Sequence, residues 1–198
     1  MDLSRETQQF TSPGIITSVH QGDCHVSGDR DVTFSTVLGS CISACIRDVT
    51  TGVGGMNHFL LAYQSESFKD KFGVSSRYGA FAMEQLINSV LSQGSGVKSN
   101  LEIKVFGGGA ITTALQDIGG KNVEFVTSFL AAEGYEIASH DMGGPWARRV
   151  KYTPSTGKAM VKRLDASDEA SLAAREIALA DRQVRDIKKP AEDDIELF

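Results

Sequence analysis

Cys41 and His58 are the two residues in this chain whose types and surroundings could do covalent chemistry. Cys41 ends the run Thr33-Phe-Ser-Thr-Val-Leu-Gly-Ser-Cys41, directly after a Gly-Ser pair. Glycine allows a sharp turn there, which exposes backbone N–H groups. Such groups can hold a thiolate, or the oxyanion that forms when a thiolate attacks a carbonyl. His58 follows in Gly54-Gly-Met-Asn-His58. An imidazole within reach of a thiol takes its proton, and the thiolate then attacks a carbonyl or amide carbon. A third group should orient the imidazole, and the hydroxyls of Ser35 and Thr36 are the nearest candidates. Gly39, Ser40 and Asn57 are the candidate positions for oxyanion or substrate binding. On spacing alone a plainer alternative stands beside this one, since a cysteine in a strand is more often a small core residue.

The two residues meet only if the elements around them bring them together. Phe34 to Arg47 is rich in strand formers and is interrupted only at Gly39-Ser40. Asp48-Val-Thr-Thr-Gly52 reads as a turn and Val53 to Leu61 as a second strand. If the hairpin loop is the four residues Asp48 to Thr51, Cys41 and His58 stand directly opposed, with Cβ atoms about 4.5–5.5 Å apart. A loop one residue longer would put them on opposite faces.

The remaining elements follow from periodicity and punctuation. Ser12 to Thr36 reads as loop and edge strand. Tyr78 to Leu91 reads as a helix capped by Ser75 or Ser76, with Gly94 just past its end. Leu101 to Phe106 alternates like a strand and runs into Gly107-Gly-Gly109, and Asn122 is placed to cap a helix that stops at Gly134. Tyr135 to Ser139 is a further strand, and Arg148 to Tyr152 with Lys158 to Arg163 form a hairpin. The fold class expected is α+β / α/β: a single layered domain with mixed, largely antiparallel β-sheets flanked by helices, plus a C-terminal amphipathic helix. That last helix rests on Ala170, Ala173, Ile177, Ala180, Val184 and Ile187, which share one side. Two uses are open for it: packing on the protein's own body, or docking on a partner or a second copy.

Composition narrows the function classes. The 198 residues are 41 % hydrophobic and 23 % charged, as in an ordinary globular domain. The net charge is -5. Residues 1–164 carry 15 acids against 15 bases, while residues 165–198 carry ten against five. A neutral body with an acidic tail offers phosphates no basic face, so nucleic acid is not an expected partner. No long apolar run suggests membrane insertion, and the N-terminus lacks the pattern of a secretory signal.

Other residues carry weaker signals. Cys24, Cys41 and Cys45 form no disulfide framework and fit reduced thiols in a cytoplasm. With His20, His25 and His58 they show no Cys-x-x-Cys or His-x-x-x-His spacing, so no metal is expected. Cys45 reads as a buried hydrophobe and His140 as a local hydrogen-bonding residue. Gly107-Gly-Gly109 lacks the rest of a phosphate-binding motif and reads as tight turning beside the site. Trp146, Arg148 and Arg149 line either a substrate or partner surface or a solvated hairpin edge.

Taken together, Leu38-Gly-Ser-Cys41, Ile46-Arg-Asp48 and Gly54-Gly-Met-Asn-His-Phe-Leu60 strongly resemble the CheD chemoreceptor glutamine deamidases. Arg77-Tyr-Gly79, Lys104-Val-Phe-Gly-Gly-Gly109, Ile118-Gly119 through Asn122, and Asp141-Met-Gly-Gly144 with Arg148 or Arg149 continue the resemblance. It covers about Gly14 to Leu164. The division expected is a flexible N-terminus over 1–12, a CheD-like domain over 13–164 and an acidic helical extension over 165–198. The resemblance implies a cytoplasmic enzyme of bacterial chemotaxis that converts glutamines on chemoreceptor helices to glutamates, and that can also hydrolyse glutamyl methyl esters. It implies Cys41 as nucleophile and His58 as its base, with no metal or organic cofactor. The family's third residue is a Thr six positions before the Cys, which is Ser35 here, with Thr36 one step later. The resemblance also implies an alternative, a non-catalytic adaptor that binds and stimulates a CheC-type phosphatase.

Overall fold

The computed structural model describes residues 14–61, 74–111 and 116–165, together with the single positions 172, 174 and 178. Nine strands and two α-helices follow in chain order among these residues: β1 (Ile15–Ser18), β2 (Cys24–Ser27), β3 (Val32–Leu38), β4 (Ile42–Asp48), β5 (Gly54–Asn57), α1 (Val74–Gln93), β6 (Leu101–Gly107), α2 (Gln116–Ala132), β7 (Ile137–Met142), β8 (Arg148–Thr153) and β9 (Lys158–Arg163). One sheet runs β1-β3-β8-β9 and the other β2-β5-β4-β6-β7. Only β1 with β3 and β6 with β7 pair in parallel. The result is the layered, mainly antiparallel α+β architecture expected.

Two apolar clusters explain the layering. Val32, Phe34 and Leu38 of β3 face Cys41, Cys45 and Met56 of the second sheet, with Val150 and Tyr152 of β8 beside them. Ile42, Ala44 and Ile46 of β4 face the other way, against Met83, Leu86 and Val90 of α1 and Val126 and Leu130 of α2. β3 therefore alternates buried and half-buried side chains, as a strand with one covered face must. β4 is covered on both faces and is almost wholly buried.

The structure moves several predicted boundaries. The early loop contains two short strands. The strand after the hairpin turn is β5 alone, followed by an isolated bridge between Ile42 and Phe59. α1 begins at Val74, so Ser75 and Ser76 lie inside it and do not precede it. α2 begins at Gln116, so Asn122 is an interior residue and not a cap. The reason is tertiary: Asn122 is fully buried, and its amide serves other segments. The flexible N-terminus expected over 1–12 falls outside the described residues, and so does most of the C-terminal helix.

The hairpin register also differs. Arg47 pairs with Gly54 and Ile46 with Gly55, and Asp48 N–H donates to Val53 O at 2.8 Å. The loop has four residues as expected, but they are Val49 to Gly52, one step further along. Shifting the loop by one residue moves the cross-strand pairing by two and so preserves the faces. Cys41 is thus not directly opposite His58. Extending the ladder places His58 opposite Ser43, diagonal to Cys41.

Asp48 sets that loop. One carboxylate oxygen accepts the N–H and hydroxyl of Thr50 at 2.9 and 2.6 Å and the N–H of Thr51 at 3.2 Å. The other accepts the Ser95 N–H at 2.8 Å and the Ser95 hydroxyl, tying the hairpin to the end of α1. Burial pushes the carboxyl up, but the hydrogen bonds from Ser95 and Thr50 outweigh it and hold the group well below the usual carboxylate range. A depressed folded-state pKa contributes stability above the unfolded value of about 4 and loses it as pH falls. Asp48→Asn should therefore lower the melting temperature by several degrees at pH 7, at about 2–4 °C per kcal/mol for a chain of this size. The gap to wild type should narrow as melts are repeated at decreasing pH below 4.

Candidate active site

The loop Gly39-Ser-Cys41 carries the chain from β3 in one sheet to β4 in the other. Each of its three carbonyls accepts a hydrogen bond from elsewhere. Gly109 N–H donates to Gly39 O at 2.6 Å, Asn122 Nδ2 to Ser40 O at 2.8 Å and Gly108 N–H to Cys41 O at 2.7 Å. Asn122 Oδ1 also accepts the Leu61 N–H at 2.9 Å, so one buried amide joins α2 to both sides of the site. Gly107-Gly-Gly109 lies directly against this loop. A Cβ on Gly107, whose φ is +113°, would fall 2.0 Å from Cys41 O, and one on Gly109 2.6 Å from Trp146 O. This agrees with tight turning beside the site.

His58 is held on its other side. Thr36 Oγ1 lies 2.9 Å from His58 Nδ1 and 2.7 Å from Val19 O. Val19 O, which can only accept, also lies 3.4 Å from Nδ1. The Thr36 hydroxyl gives its single proton to Val19 O and so accepts from Nδ1–H. Nδ1 therefore carries the hydrogen in the neutral ring, and Nε2 is its basic nitrogen. β3 explains which hydroxyl does this: Val32, Phe34, Thr36 and Leu38 face inward, so Ser35 faces the opposite side. Ser35 is half-buried, and its carbonyl accepts the Val19 N–H at 2.9 Å.

A cleft of about 480 Å³ opens over these groups. β1 pairs with β3 as far as Ser18 with Ser35, then crosses to the other sheet to become β2. The gap left along β3 is lined by Thr36 and Val37, with Cys41 and His58 also on its wall. The crossing segment closes the opposite side through Val19, His20 and Gln21, and Arg149 and Leu172 complete the rim.

The structure brings together Cys41, His58, Thr36 and, at the cleft edge, Ser35. It turns Asn57 away. Asn57 Oδ1 accepts the Ala44 N–H at 2.8 Å, and its Nδ2 donates to Ala82 O at 2.9 Å and toward Met83. Successive residues of β5 alternate faces, so Asn57 points to the helices where His58 points to the cleft. Arg148 also leaves the surface: it has no exposed area and donates to Asp141 Oδ1 at 2.7 Å and to the carbonyls of Asp141, Gly143 and Trp146. Trp146 lies under the guanidinium of Arg163, 3.7 Å from its ring centre. Only Arg149 of that group reaches the cleft.

Three residues of the site escape a reading of the sequence. Gln21 lies 3.7 Å from Cys41, the thiol donating to its Oε1. Tyr78 overhangs the same turn, since a Cβ on Gly22 would sit 3.6 Å from its hydroxyl. Burial, and then the neighbouring Cys41, push the Tyr78 phenol above its ordinary value. Asn122 is the third; its position in the Ile118-to-Asn122 segment was a signal, but not of its role.

The other two cysteines differ in environment. Burial pushes the Cys24 thiol up to about 11 and the fully buried Cys45 higher still, against smaller opposing effects of Ser43 and Lys104. Both stay protonated near neutrality. All three cysteines are reduced thiols.

Residues 60–163 match the family model described as CheD chemotactic sensory transduction. The chain is 48 % identical over 165 residues to a protein of Caulobacter sp. (strain K31) named "Probable chemoreceptor glutamine deamidase CheD", covering 83 % of this chain and 86 % of that one. It is 46 % identical over 191 residues to "Probable chemoreceptor glutamine deamidase CheD 1" of Ruegeria sp. (strain TM1040), covering 96 % and 98 %. A similarly named protein of Hydrogenovibrio crunogenus is 42 % identical over 188 residues, covering 93 % and 95 %. The Ruegeria alignment is long enough that it must run well into residues 165–198.

Asn122→Ala should strand the Ser40 carbonyl and the Leu61 N–H in the interior. The expected cost is about 2–5 kcal/mol, read as a lower denaturant midpoint at unchanged slope.

Proposed function

The chain belongs to the CheD family, and from that premise we propose that it is a chemoreceptor glutamine deamidase with Cys41 as nucleophile, His58 as general acid and base, and Thr36 as the residue that positions the imidazole. The observation that carries this reading is the chain from Val19 O through the Thr36 hydroxyl to His58 Nδ1. It leaves the basic Nε2 as the proton acceptor on a ring whose cleft also holds the thiol. The orienting hydroxyl is thus that of Thr36, five positions before Cys41, and not that of Ser35.

The reaction follows from these groups. His58 Nε2 takes the Cys41 proton, and the thiolate adds to the side-chain carbonyl carbon of a glutamine. In a trans peptide the N–H points opposite to the preceding carbonyl. Pinning the Gly39 and Ser40 carbonyls therefore fixes the directions of the Ser40 and Cys41 N–H groups, which serve as oxyanion donors. The imidazolium gives its proton to the departing ammonia, leaving a thioester. His58 then deprotonates a water that hydrolyses it, releasing glutamate and the thiol. His58 handles every proton, so no step calls for a metal or an organic cofactor. A glutamyl methyl ester would follow the same path with methanol leaving.

The partner is a chemoreceptor, met by shape and hydrogen bonding at a neutral body. Reduced thiols fit a cytoplasmic location. Among the described residues no helix is long and apolar enough to cross a membrane. The assembled Cys41, His58 and Thr36 favour catalysis over the adaptor reading, and an assay with and without a CheC-type phosphatase separates the two. The C-terminal extension docks on the chain's own body. Supporting this, Leu172 is half-buried and forms part of the cleft rim.

Cys41→Ala and His58→Ala should each reduce ammonia release from receptor peptides by on the order of 10⁴-fold. A Cys41 variant with wild-type turnover would overturn the assignment. Thr36→Val should lower kcat by about 10–100-fold with KM little changed, because a mis-set ring loses proton transfer and not binding. Ser35→Ala should have a much smaller effect. A chain ending at Asp165 should still melt cooperatively within a few degrees of the full chain; loss of that transition would place the extension in the core.

A further inference from the structure

The segment that crosses between the sheets brings a glutamine of the chain itself to the nucleophile. Gln21 Oε1 accepts from Cys41 Sγ across 3.7 Å. The turn that presents it is tightly held. Asp23 N–H closes on His20 O at 2.9 Å, and Asp23 Oδ2 accepts the His20 N–H at 2.9 Å. Gly22 N–H donates to His58 O at 2.7 Å, and His58 N–H to Asp23 O at 3.1 Å. One residue earlier, Val19 O holds the Thr36 hydroxyl. The same five residues thus anchor the hydroxyl that holds the imidazole and set a carboxamide against the thiol, in the cleft that His58 also lines. That carboxamide is the functional group the site is read to hydrolyse, and tethering gives it a high effective concentration.

We propose that Gln21 is an intramolecular substrate, its side chain deamidated by Cys41 to that of a glutamate. This rests on the thiol chemistry proposed above. Cys41 Sγ bonds to Gln21 Cδ as its proton passes to His58, and Oε1 takes the negative charge. Collapse of that adduct breaks the Cδ–Nε2 bond, and ammonia leaves with the proton from His58. Water then cleaves the thioester, restoring the thiol and leaving a carboxylate at position 21. Water is the only co-reactant. The product carboxylate stands beside Sγ and disfavours the thiolate, so the modified enzyme is slower than the unmodified one.

Peptide mass spectrometry of the full-length protein tests this, with wild type and Cys41→Ala purified alike and incubated in heavy-oxygen water. A receptor peptide is assayed in parallel. The wild type should accumulate glutamate at position 21, carrying heavy oxygen where conversion occurs in vitro, at a rate on the order of 100-fold or more above the Cys41→Ala protein. The exposed Gln85 and Gln93 of α1 should stay at the background rate. Recovery of glutamate at position 21 from freshly purified wild type, but of Gln21 from Cys41→Ala, would equally support the proposal. Gln21→Glu should turn over the receptor peptide several-fold more slowly than protein still carrying Gln21. Receptor turnover by wild type with Gln21 intact would overturn the proposal, leave the deamidase assignment standing, and make Gln21 a wall of the cleft. Equal conversion in wild type and Cys41→Ala would overturn it as spontaneous hydrolysis. Loss of both activities would overturn the deamidase reading with it.

Discussion

Three consecutive carbonyls, of Gly39, Ser40 and Cys41, are tied down by donors from two other segments, and the geometry of the site depends on that restraint. The loop that bears them passes from one sheet to the other through the interior, where an unmet backbone group is costly. Its partners are Gly108, Gly109 and Asn122. They in turn need support. Glycine is required where the backbone passes within van der Waals distance of the Cys41 carbonyl, as at Gly107. Buried Arg148 braces the carbonyls of Asp141, Gly143 and Trp146 behind Gly109. Much of the polar interior therefore serves to hold one short loop at a fixed distance from β3.

The histidine side is built independently. Its imidazole is fixed by β3 through Thr36 and by the crossing segment through Val19, while its backbone N–H and carbonyl both bond the His20-to-Asp23 turn. The two halves meet because β1 leaves its sheet after Ser18 and opens the edge of β3. A strand that stayed paired for two more residues would close the cleft. The site is thus an interrupted sheet edge, and access to the thiol is a consequence of topology.

Environment, and not residue type, separates the three cysteines. Cys45 lies on the same face of the second sheet as Cys41 but is enclosed by apolar side chains, which keep it neutral. Cys24 sits in an edge strand and is pushed up by burial. Cys41 alone shares a cleft with a histidine whose tautomer is set.

The sequence by itself determined most elements from β3 onward, the candidates Cys41 and His58 and the family resemblance, because these rest on local periodicity and on short runs such as Leu38-Gly-Ser-Cys41; β1 and β2 read only as loop and edge strand. The sequence left Ser35 and Thr36 open as the orienting hydroxyl, and the resemblance pointed to position 35; the inward phase of β3 turns Thr36 toward the imidazole. Tertiary structure decided the rest. The hairpin loop moved by one residue because Asp48 binds Thr50, Thr51 and Ser95 together, and Ser95 lies 47 positions away. Asn122 looked like a helix cap because caps and buried clamps use the same amide, and only packing tells which groups it meets. Asn57 left the site because its neighbour His58 took the cleft face. Gln21 joined it through the crossing of the chain between the sheets, and Tyr78 through the packing of α1 over that turn, neither of which a local pattern encodes.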